Sequence, residues 1–339
     1  MVLAVVFSAY FPVYRLNREL AAAKREGLLL DLSDVQPAIS KSWPQGENAA
    51  TLVRKAIASK KSHSISLPGR ETDDVLKGSA TTQEKDQVRR YLAQNIAFLD
   101  LYRQASRMPR LDYERPWQQG FGLLLPEYAV VKNAGKTFVA AAALGIDPKE
   151  NLLTAARLSV LTRQDPNLIA QLVSIAMGST AIRQAAKLGL GREIDSALGA
   201  PIDVRWAYSV ELPSCLDAAR RIGTEEWDKS LGIPREGLWD RLRSGGPTRT
   251  NAASTIVHDF RAFWKAMPKD GTDYISATQA ADQNLGGAYD ELARMSPVMA
   301  NLVSNSSNLS EPIKAMQSFE ELRKAARSGA PLPSPKPLP

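Results

Sequence analysis

The amino-acid sequence predicts an all-α protein, an irregular helical bundle with short antiparallel helix connections, preceded by an N-terminal anchor helix. Apolar residues recur at three- and four-residue spacings along most of the chain, and residues that start or stop helices flank these runs. No segment shows the alternating pattern of a β-strand. Of the 339 residues, 44% are apolar and 23% are charged, which is typical of a folded chain.

The first element is an uncharged apolar run over residues 2–14, followed by Arg15 and Arg18. At about 1.5 Å per residue the run spans roughly 20 Å, short of a comfortable bilayer crossing. It fits the apolar region of a secretory signal, although no basic residues precede it, a core helix of a soluble domain, or a single-pass anchor. Tyr10, Tyr14 and the arginines suit a membrane–water boundary, so we expect an anchor in the cell membrane. We expect the body on the extracytoplasmic side, with the orientation left open.

Composition divides the chain into four regions. We expect an anchor helix with its extension over 1–25, mostly loop with one short helix over 26–80, a helical domain over 81–328, and a Pro-rich disordered tail over 329–339. Residues 59–80 are polar and contain Pro68 and two glycines, which is typical of a loop. The tail has proline at every second position from 331 to 339, which favours an extended segment.

Helix-boundary residues become frequent after residue 80. Thr81 and Glu84 have the spacing of a capping box. The predicted helix behind it presents one apolar face, formed by Val88, Leu92, Ile96, Leu99 and Tyr102, and closes at Met108-Pro109. Pro126 opens the next helix, which we expect to end at Gly145.

Two Asp-Pro pairs open the following helices. We expect Asp147 to be the cap of the first, with Glu150 three residues on, and Asp165-Pro166 to open the second. Apolar residues occur around most of the circumference of residues 168–177, which predicts a helix at the centre of the bundle.

Further helices are predicted towards the C-terminus. They cover 204–222 with a bend or break at Pro213, 225–243, 251–267, and two segments within 277–327.

Several local sequences together form a familiar set. They are Glu47-Asn48-Ala49-Ala50, Asn95 to Met108 leading to Gly122-Leu123-Leu124, Ala155-Ala156-Arg157-Leu158, Asp165-Pro166-Asn167-Leu168-Ile169 and Gln171-Leu172-Val173-Ser174-Ile175-Ala176. This set gives the chain a resemblance to a group of N-terminally membrane-anchored, all-helical bacterial proteins whose activity is not established. It covers Arg15 to Leu188 and implies an anchor and a helical fold, but no activity. The chain departs from the group at its start, where basic residues before the apolar run are absent.

No set of residues predicts a catalytic, cofactor-binding or metal site. The two histidines, His63 and His258, are expected to be solvated or structural. A single cysteine, Cys215, excludes an internal disulfide and a cysteine zinc cage, and we expect it to be buried in a helix. Gly135-Lys136-Thr137 resembles the end of a phosphate-binding loop but lacks the earlier glycine, because Val130 stands there.

Other chemistry-bearing side chains have a simpler structural explanation. Adjacent carboxylates diverge by about 100° on a helix, so they are expected on solvated faces. These pairs are Asp73-Asp74, Glu225-Glu226, Asp290-Glu291 and Glu320-Glu321. The tryptophans at 206, 227, 239 and 264 are expected in the core.

Three functional hypotheses follow. The first is a membrane-anchored scaffold or interaction protein of the cell envelope, without catalysis, which contacts the membrane through residues 2–14 and protein partners through its body and tail. The second is a helical enzyme whose carboxylates converge only in three dimensions, and the third is a soluble helical module with the first helix in its core. The net charge of +7 comes from basic residues interleaved with acids, so no nucleic-acid partner is expected. The oligomeric state stays open.

Overall fold

The structure, a computed structural model, describes residues 2–62, 69–221, 246–267, 273–295 and 310–334. Within these ranges the chain is predominantly helical and contains no β-strand. The only bridge outside the helices among these residues is an isolated parallel one between Asn48 and Arg110. The all-α class is therefore confirmed.

The α-helices are numbered here in chain order. They are α1 (Val2–Arg25), α2 (Val35–Ser42), α3 (Ala50–Ser62), α4 (Gly69–Lys77), α5 (Thr82–Gln94), α6 (Ile96–Ala105), α7 (Pro126–Ala143), α8 (Pro148–Thr162), α9 (Leu168–Lys187), α10 (Gly191–Leu198), α11 (Val204–Ala207), α12 (Glu211–Arg221), α13 (Gly246–Ala266), α14 (Tyr274–Ala280), α15 (Gly286–Met295) and α16 (Glu311–Ser328). Short 3₁₀ turns cover Leu32–Asp34 and Trp117–Gly122, and a π-helical segment, Ala281–Leu285, lies between α14 and α15.

The chain forms two compact units, each assembled from three separate stretches of sequence. Unit 1 contains Met1–Lys41, Pro116–Leu123 and Asp203–Lys314, and unit 2 contains Ser42–Arg115, Leu124–Ile202 and Ala315–Pro339. The boundaries predicted after residues 25, 80 and 328 follow composition, whereas the units follow contacts between distant segments.

Helix α13 is the centre of unit 1. It packs against α1, α12, α14 and α15. Its inward face buries Ile256, Val257, Phe260 and Phe263, and the Phe263 ring lies 5.1 Å from that of Tyr208. Burying a large apolar side chain contributes roughly 1.5–3 kcal/mol, so this face contributes several kcal/mol to the packing of unit 1.

Helices α7, α8 and α9 form the centre of unit 2 and pack against one another. The predicted central helix corresponds to α9, which is buried along much of its length. Two glycines allow close helix contacts here. A Cβ at Gly135 would come within 2.7 Å of the Met177 sulfur, and one at Gly178 within 2.7 Å of the Phe319 ring. The connections at 144–147 and 163–167 are short, and their antiparallel order stays a prediction.

Most helix boundaries predicted from local signals are confirmed. Thr81 and Glu84 form the reciprocal capping box, and Pro126 is at the start of α7. Gly145 and Gly189 follow helix ends with φ of +79° and +72°. At each, two backbone N–H groups bond back to the preceding turn, as in a Schellman motif.

The predicted cap of α8 is confirmed in position, and α9 has a cap that was not predicted. Asp147 stands at the cap position of α8, but its side chain makes no capping hydrogen bond. Helix α9 is capped by Asn167, whose side-chain oxygen accepts from the Ala170 N–H at 2.8 Å. Asp165 instead pairs with Arg115, because a buried carboxylate is stabilised far more by a guanidinium than by a single amide.

The prediction for residues 26–80 was also too sparse in helices, since α2, α3 and α4 all lie there. Helix α4 is polar in sequence yet buries Thr72 and Val75, and it packs on α5 and α7. Tertiary packing therefore overrides the loop-like composition.

Two predicted long helices are interrupted. The helix expected from Thr81 divides into α5 and α6 at Asn95, whose backbone is not helical (φ −112°, ψ 18°), and Ile96 is 62% exposed instead of on the apolar face. The helix expected over 204–222 divides into α11 and α12, with Pro213 in the first turn of α12. The predicted helix over 225–243, with its two tryptophans and Glu225-Glu226, lies outside the described residues, as does His63.

Among the described residues, no helix combines the length and the apolarity that crossing a bilayer requires.

Candidate functional site

Three apolar side chains of α1, between residues 11 and 14, are exposed to solvent. Phe11, Val13 and Tyr14 are 59%, 47% and 60% exposed. The exposed basic residues Arg15 and Arg18 follow at once. Isolated exposed apolar residues are ordinary, but a run of them at the end of an uncharged segment marks an interaction surface. We call Phe11, Val13 and Tyr14 the apolar patch of α1.

The second half of α1 is held on α13 by a charge cluster. The Arg261 guanidinium donates to both carboxylate oxygens of Glu26, at 2.6 and 2.9 Å, and also to Glu19. Lys265 adds a contact to Glu26 at 3.1 Å. The neighbouring Ala22 and Ala23 are buried. This half of α1 is thus packed within unit 1. It holds the helix that carries the apolar patch against α13.

The electrostatics of this cluster favour charged carboxylates. Burial alone would raise the pKa of Glu19, but the hydrogen bond and charge of Arg261 outweigh it and the net pKa is lowered. The hydrogen bond from Arg261 is the main cause of the lowered pKa of Glu26, with Lys265 assisting. Both carboxylates therefore stay ionised and bound at neutral pH.

His258 lies at the edge of the same cluster. Its ring is exposed, and Nδ1 is 3.9 Å from a Glu19 oxygen. The histidine therefore faces Glu19 in the structure. The adjacent Asp259 is half-buried, and burial raises its pKa.

Unit 2 contains a separate buried network around Arg115. Its Nε donates to Asp165 at 2.8 Å, and Nη1 donates to Glu127 at 3.1 Å. The guanidinium lies over the rings of Tyr113 and Tyr128, at 4.4 and 4.7 Å from their centroids. Burial raises the pKa of Asp165, and Arg115 opposes this shift. The buried pair of Arg115 and Asp165 therefore holds the segment before α7 against the connection between α8 and α9.

A second buried arginine secures the C-terminal helix of unit 2. Arg323 on α16 donates to Asp195 at 2.6 Å and to Glu320 at 3.2 Å. Arg327 reaches the other oxygen of Asp195 at 3.2 Å. Because the polar atoms satisfy one another, this cluster acts as a structural connection between α10 and α16.

An open cleft of about 570 Å³ lies beside α8 in unit 2. Arg107, Arg157, Glu150 and Gln164 supply its charged and amide groups. Glu150 accepts from Arg107 at 2.7 Å and is 4.0 Å from Arg157. Among the described residues of its lining, Glu150 is the single carboxylate, so they do not offer the pair of acids used in glycoside hydrolysis.

The remaining candidates from the sequence are explained by packing. Cys215 is buried in α12, as predicted. Gly135-Lys136-Thr137 is inside α7, and Lys136 pairs with Asp73 at 2.6 Å. Trp264 is half-buried beneath Arg205, at 5.3 Å. Within the ranges that the structure describes, no group of three or more His, Cys, Asp or Glu residues is placed to hold a metal ion.

Neither a protein-family model, nor a curated protein, nor a solved structure matches this chain.

Proposed function

We propose that the chain is a helical interaction protein of the cell envelope, attached to a membrane by residues 2–14, which acts through protein–protein contacts and not through catalysis. The observation that carries the proposal is the two-part character of α1. One continuous helix is bound to α13 by buried charges near its C-terminal end and presents the exposed apolar side chains of Phe11, Val13 and Tyr14 ahead of them.

The energetics favour an anionic membrane as the surface that α1 meets. A fully buried large apolar side chain contributes roughly 1.5–3 kcal/mol, so the half-exposed residues of the apolar patch each add about 1 kcal/mol on insertion. Each basic residue near an anionic leaflet adds about 1 kcal/mol. Arg15 and Arg18 directly follow the patch and match headgroup phosphates. Insertion of the apolar patch and attraction of the arginines to the lipid headgroups therefore involve adjacent positions of one helix.

The C-terminal tail supports a role in protein contacts. Pro331 and Pro333 are exposed beyond the end of α16. The Pro333 carbonyl accepts a hydrogen bond from Arg183 at 2.7 Å, so the tail starts from a defined point on unit 2. Extended proline-rich segments are preformed ligands for aromatic grooves in partner proteins. The helical-enzyme hypothesis has less support, because among the described residues Glu150 alone supplies a carboxylate to the cleft of unit 2.

Vesicle sedimentation tests the attachment. The purified chain is mixed with vesicles of phosphatidylglycerol and phosphatidylcholine, beside a variant carrying Phe11→Ser, Val13→Ser and Tyr14→Ser. Ile275→Ser is the matched control, since Ile275 is 66% exposed in unit 1 but lies on α14. We expect the wild type and the control to sediment with the vesicles and the triple variant to stay in the supernatant. Equal sedimentation of all three would overturn the proposal.

A further inference from the structure

Unit 1 contains a mostly apolar groove of about 260 Å³ at the packing of α1, α12 and α13. Leu16 and Leu20 of α1 form one wall. The other residues that line it are Leu216, Ala219 and Arg220 of α12 and Arg249, Thr250 and Ala253 of α13. The innermost of these, Leu216, Ala219 and Ala253, are buried, whereas Arg220 is exposed.

Positive charge is concentrated at the rim of this groove. The Arg220 side chain is 52% exposed and lies 3.6 Å from Asp31. Arg249 donates to the Arg220 carbonyl at 3.4 Å, which brings the two arginines to neighbouring positions on different helices. Arginine presents a planar fork of donors that suits a phosphate, so the rim is complementary to a phosphate group.

The small number of polar groups in the groove favours one kind of ligand over another. Among the described residues of the lining, Thr250 is the only polar one apart from the two arginines. A peptide placed here would bury backbone N–H and C=O groups without partners, at a cost of about 1–3 kcal/mol for each group. An acyl chain has no such groups to satisfy. The lining therefore favours a hydrocarbon chain over a peptide.

The groove is also adjacent to the apolar patch. Leu16 and Leu20 follow Tyr14 by two and six residues on the same helix. At about 1.5 Å per residue, they lie roughly 3–9 Å farther along the axis. When residues 2–14 are inserted in a membrane, this distance places the groove at the level of the lipid headgroups.

We propose that this groove binds one acyl chain of an anionic phospholipid from the membrane to which α1 attaches, with Arg220 and Arg249 contacting its phosphate. The proposal rests on the proposed function and adds a defined lipid site to it. The bound lipid fills the space between α1 and α12, so it links membrane attachment to the packing of unit 1.

Photo-crosslinking in vesicles tests the site. Phosphatidylglycerol with a diazirine in its acyl chain is incorporated into phosphatidylcholine vesicles, the chain is bound and irradiated, and the labelled peptides are identified by mass spectrometry. We expect label on the α12 and α13 segments that line the groove, as well as on the first half of α1. Thr250→Trp fills the mouth of the groove, so label on α12 and α13 is lost while label on α1 remains.

Charge variants separate this inference from the attachment itself. Arg220→Gln with Arg249→Gln is expected to abolish the preference of groove labelling for phosphatidylglycerol over a diazirine phosphatidylcholine. Arg294→Gln, which changes another exposed arginine of unit 1, keeps that preference. If the chain sediments with vesicles but α12 and α13 stay unlabelled, the lipid site is refuted and the attachment stands. If the chain does not sediment at all, the attachment fails and the lipid site fails with it.

Discussion

Replacement of Arg261 by Met tests whether buried charge holds α1 on unit 1. The substitution keeps an apolar stem of similar length and removes the guanidinium. Glu19, whose side chain is only 6% exposed, then loses its main partner. Glu26 is more accessible and keeps Lys265 at 3.1 Å. The variant thus leaves one buried carboxylate without adequate compensation.

The magnitude follows from the burial of the two acids. Breaking a buried ion pair by removing one partner costs about 3–5 kcal/mol. The exposed Arg18 still lies 3.5 Å from Glu19, which favours the lower limit of about 3 kcal/mol. The contact with Glu26 adds less than about 1 kcal/mol because that carboxylate is partly solvated. Since about 1.4 kcal/mol is a factor of ten, opening of α1 becomes more frequent by roughly 100-fold.

Hydrogen exchange of the α1 amides measures this opening directly, because exchange reports local free energies. Residues 19–25 are expected to exchange about 100-fold faster in Arg261→Met, in keeping with the free energy above. Lys265→Met is the matched control. Lys265 contacts the same Glu26 carboxylate but is 59% exposed, so exchange in that variant changes by less than about threefold.

A second substitution distinguishes unpaired charge from lost packing. Adding Glu19→Gln to Arg261→Met removes the stranded carboxylate, and we expect at least about 1 kcal/mol of the protection to return. Unchanged exchange in Arg261→Met would refute the reasoning, because it would mean that α1 is held by its apolar contacts alone. If protection from exchange does not return in the double variant, the destabilisation comes from lost packing and not from the unpaired carboxylate.

Three further predictions concern charge and capping. The lowered pKa values of Glu19 and Glu26 mean that their stabilisation is present above the ordinary carboxyl pKa of 4.5 and is lost as the pH falls through the lower folded-state values. In urea unfolding, the stability difference between the wild type and Arg261→Met therefore shrinks below about pH 4.5. Arg323→Met in unit 2 costs about 3–5 kcal/mol in the same assay, since Asp195 and Glu320 are buried. Asn167→Ala costs about 1–2 kcal/mol, because it removes the cap of α9.

Each of these predictions has a contradicting outcome. A stability difference that stays constant down to pH 3 would show that the two glutamates are not the groups involved. Arg327→Met serves as the control for Arg323→Met, because its side chain is half-exposed and is expected to contribute less than about 1 kcal/mol. Asp147→Asn controls for Asn167→Ala, since the Asp147 side chain makes no capping bond. Equal losses in a variant and its control would contradict the structural assignment.

Features determined within a few residues could be predicted from the sequence. The Thr81–Glu84 capping box and the glycine ends at 145 and 189 depend on hydrogen bonds inside one or two turns. The periodicity that makes α9 central is equally local, since it depends only on which faces are apolar. These local patterns predicted the all-α fold class correctly.

Features determined by distant partners could not be predicted. Glu19 and Arg261 are 242 positions apart, and Arg115 and Asp165 are 50 apart, so no local pattern indicates either pair. Asp165 was expected only at the start of a helix, because the guanidinium that pairs with it lies far away in sequence. The groove lined by Leu16 also depends on three segments that meet only in the folded unit.

An environment-sensitive fluorophore at Val13 tests directly whether residues 2–14 of α1 enter a membrane. In a Cys215→Ala background, Val13→Cys and Ile275→Cys are labelled with nitrobenzoxadiazole, and emission is recorded before and after anionic vesicles are added. Both positions are exposed in the free chain, so both probes start in water. We expect a blue shift of the emission and an increase in its intensity at position 13 alone. No change at position 13, or equal changes at both positions, would contradict it.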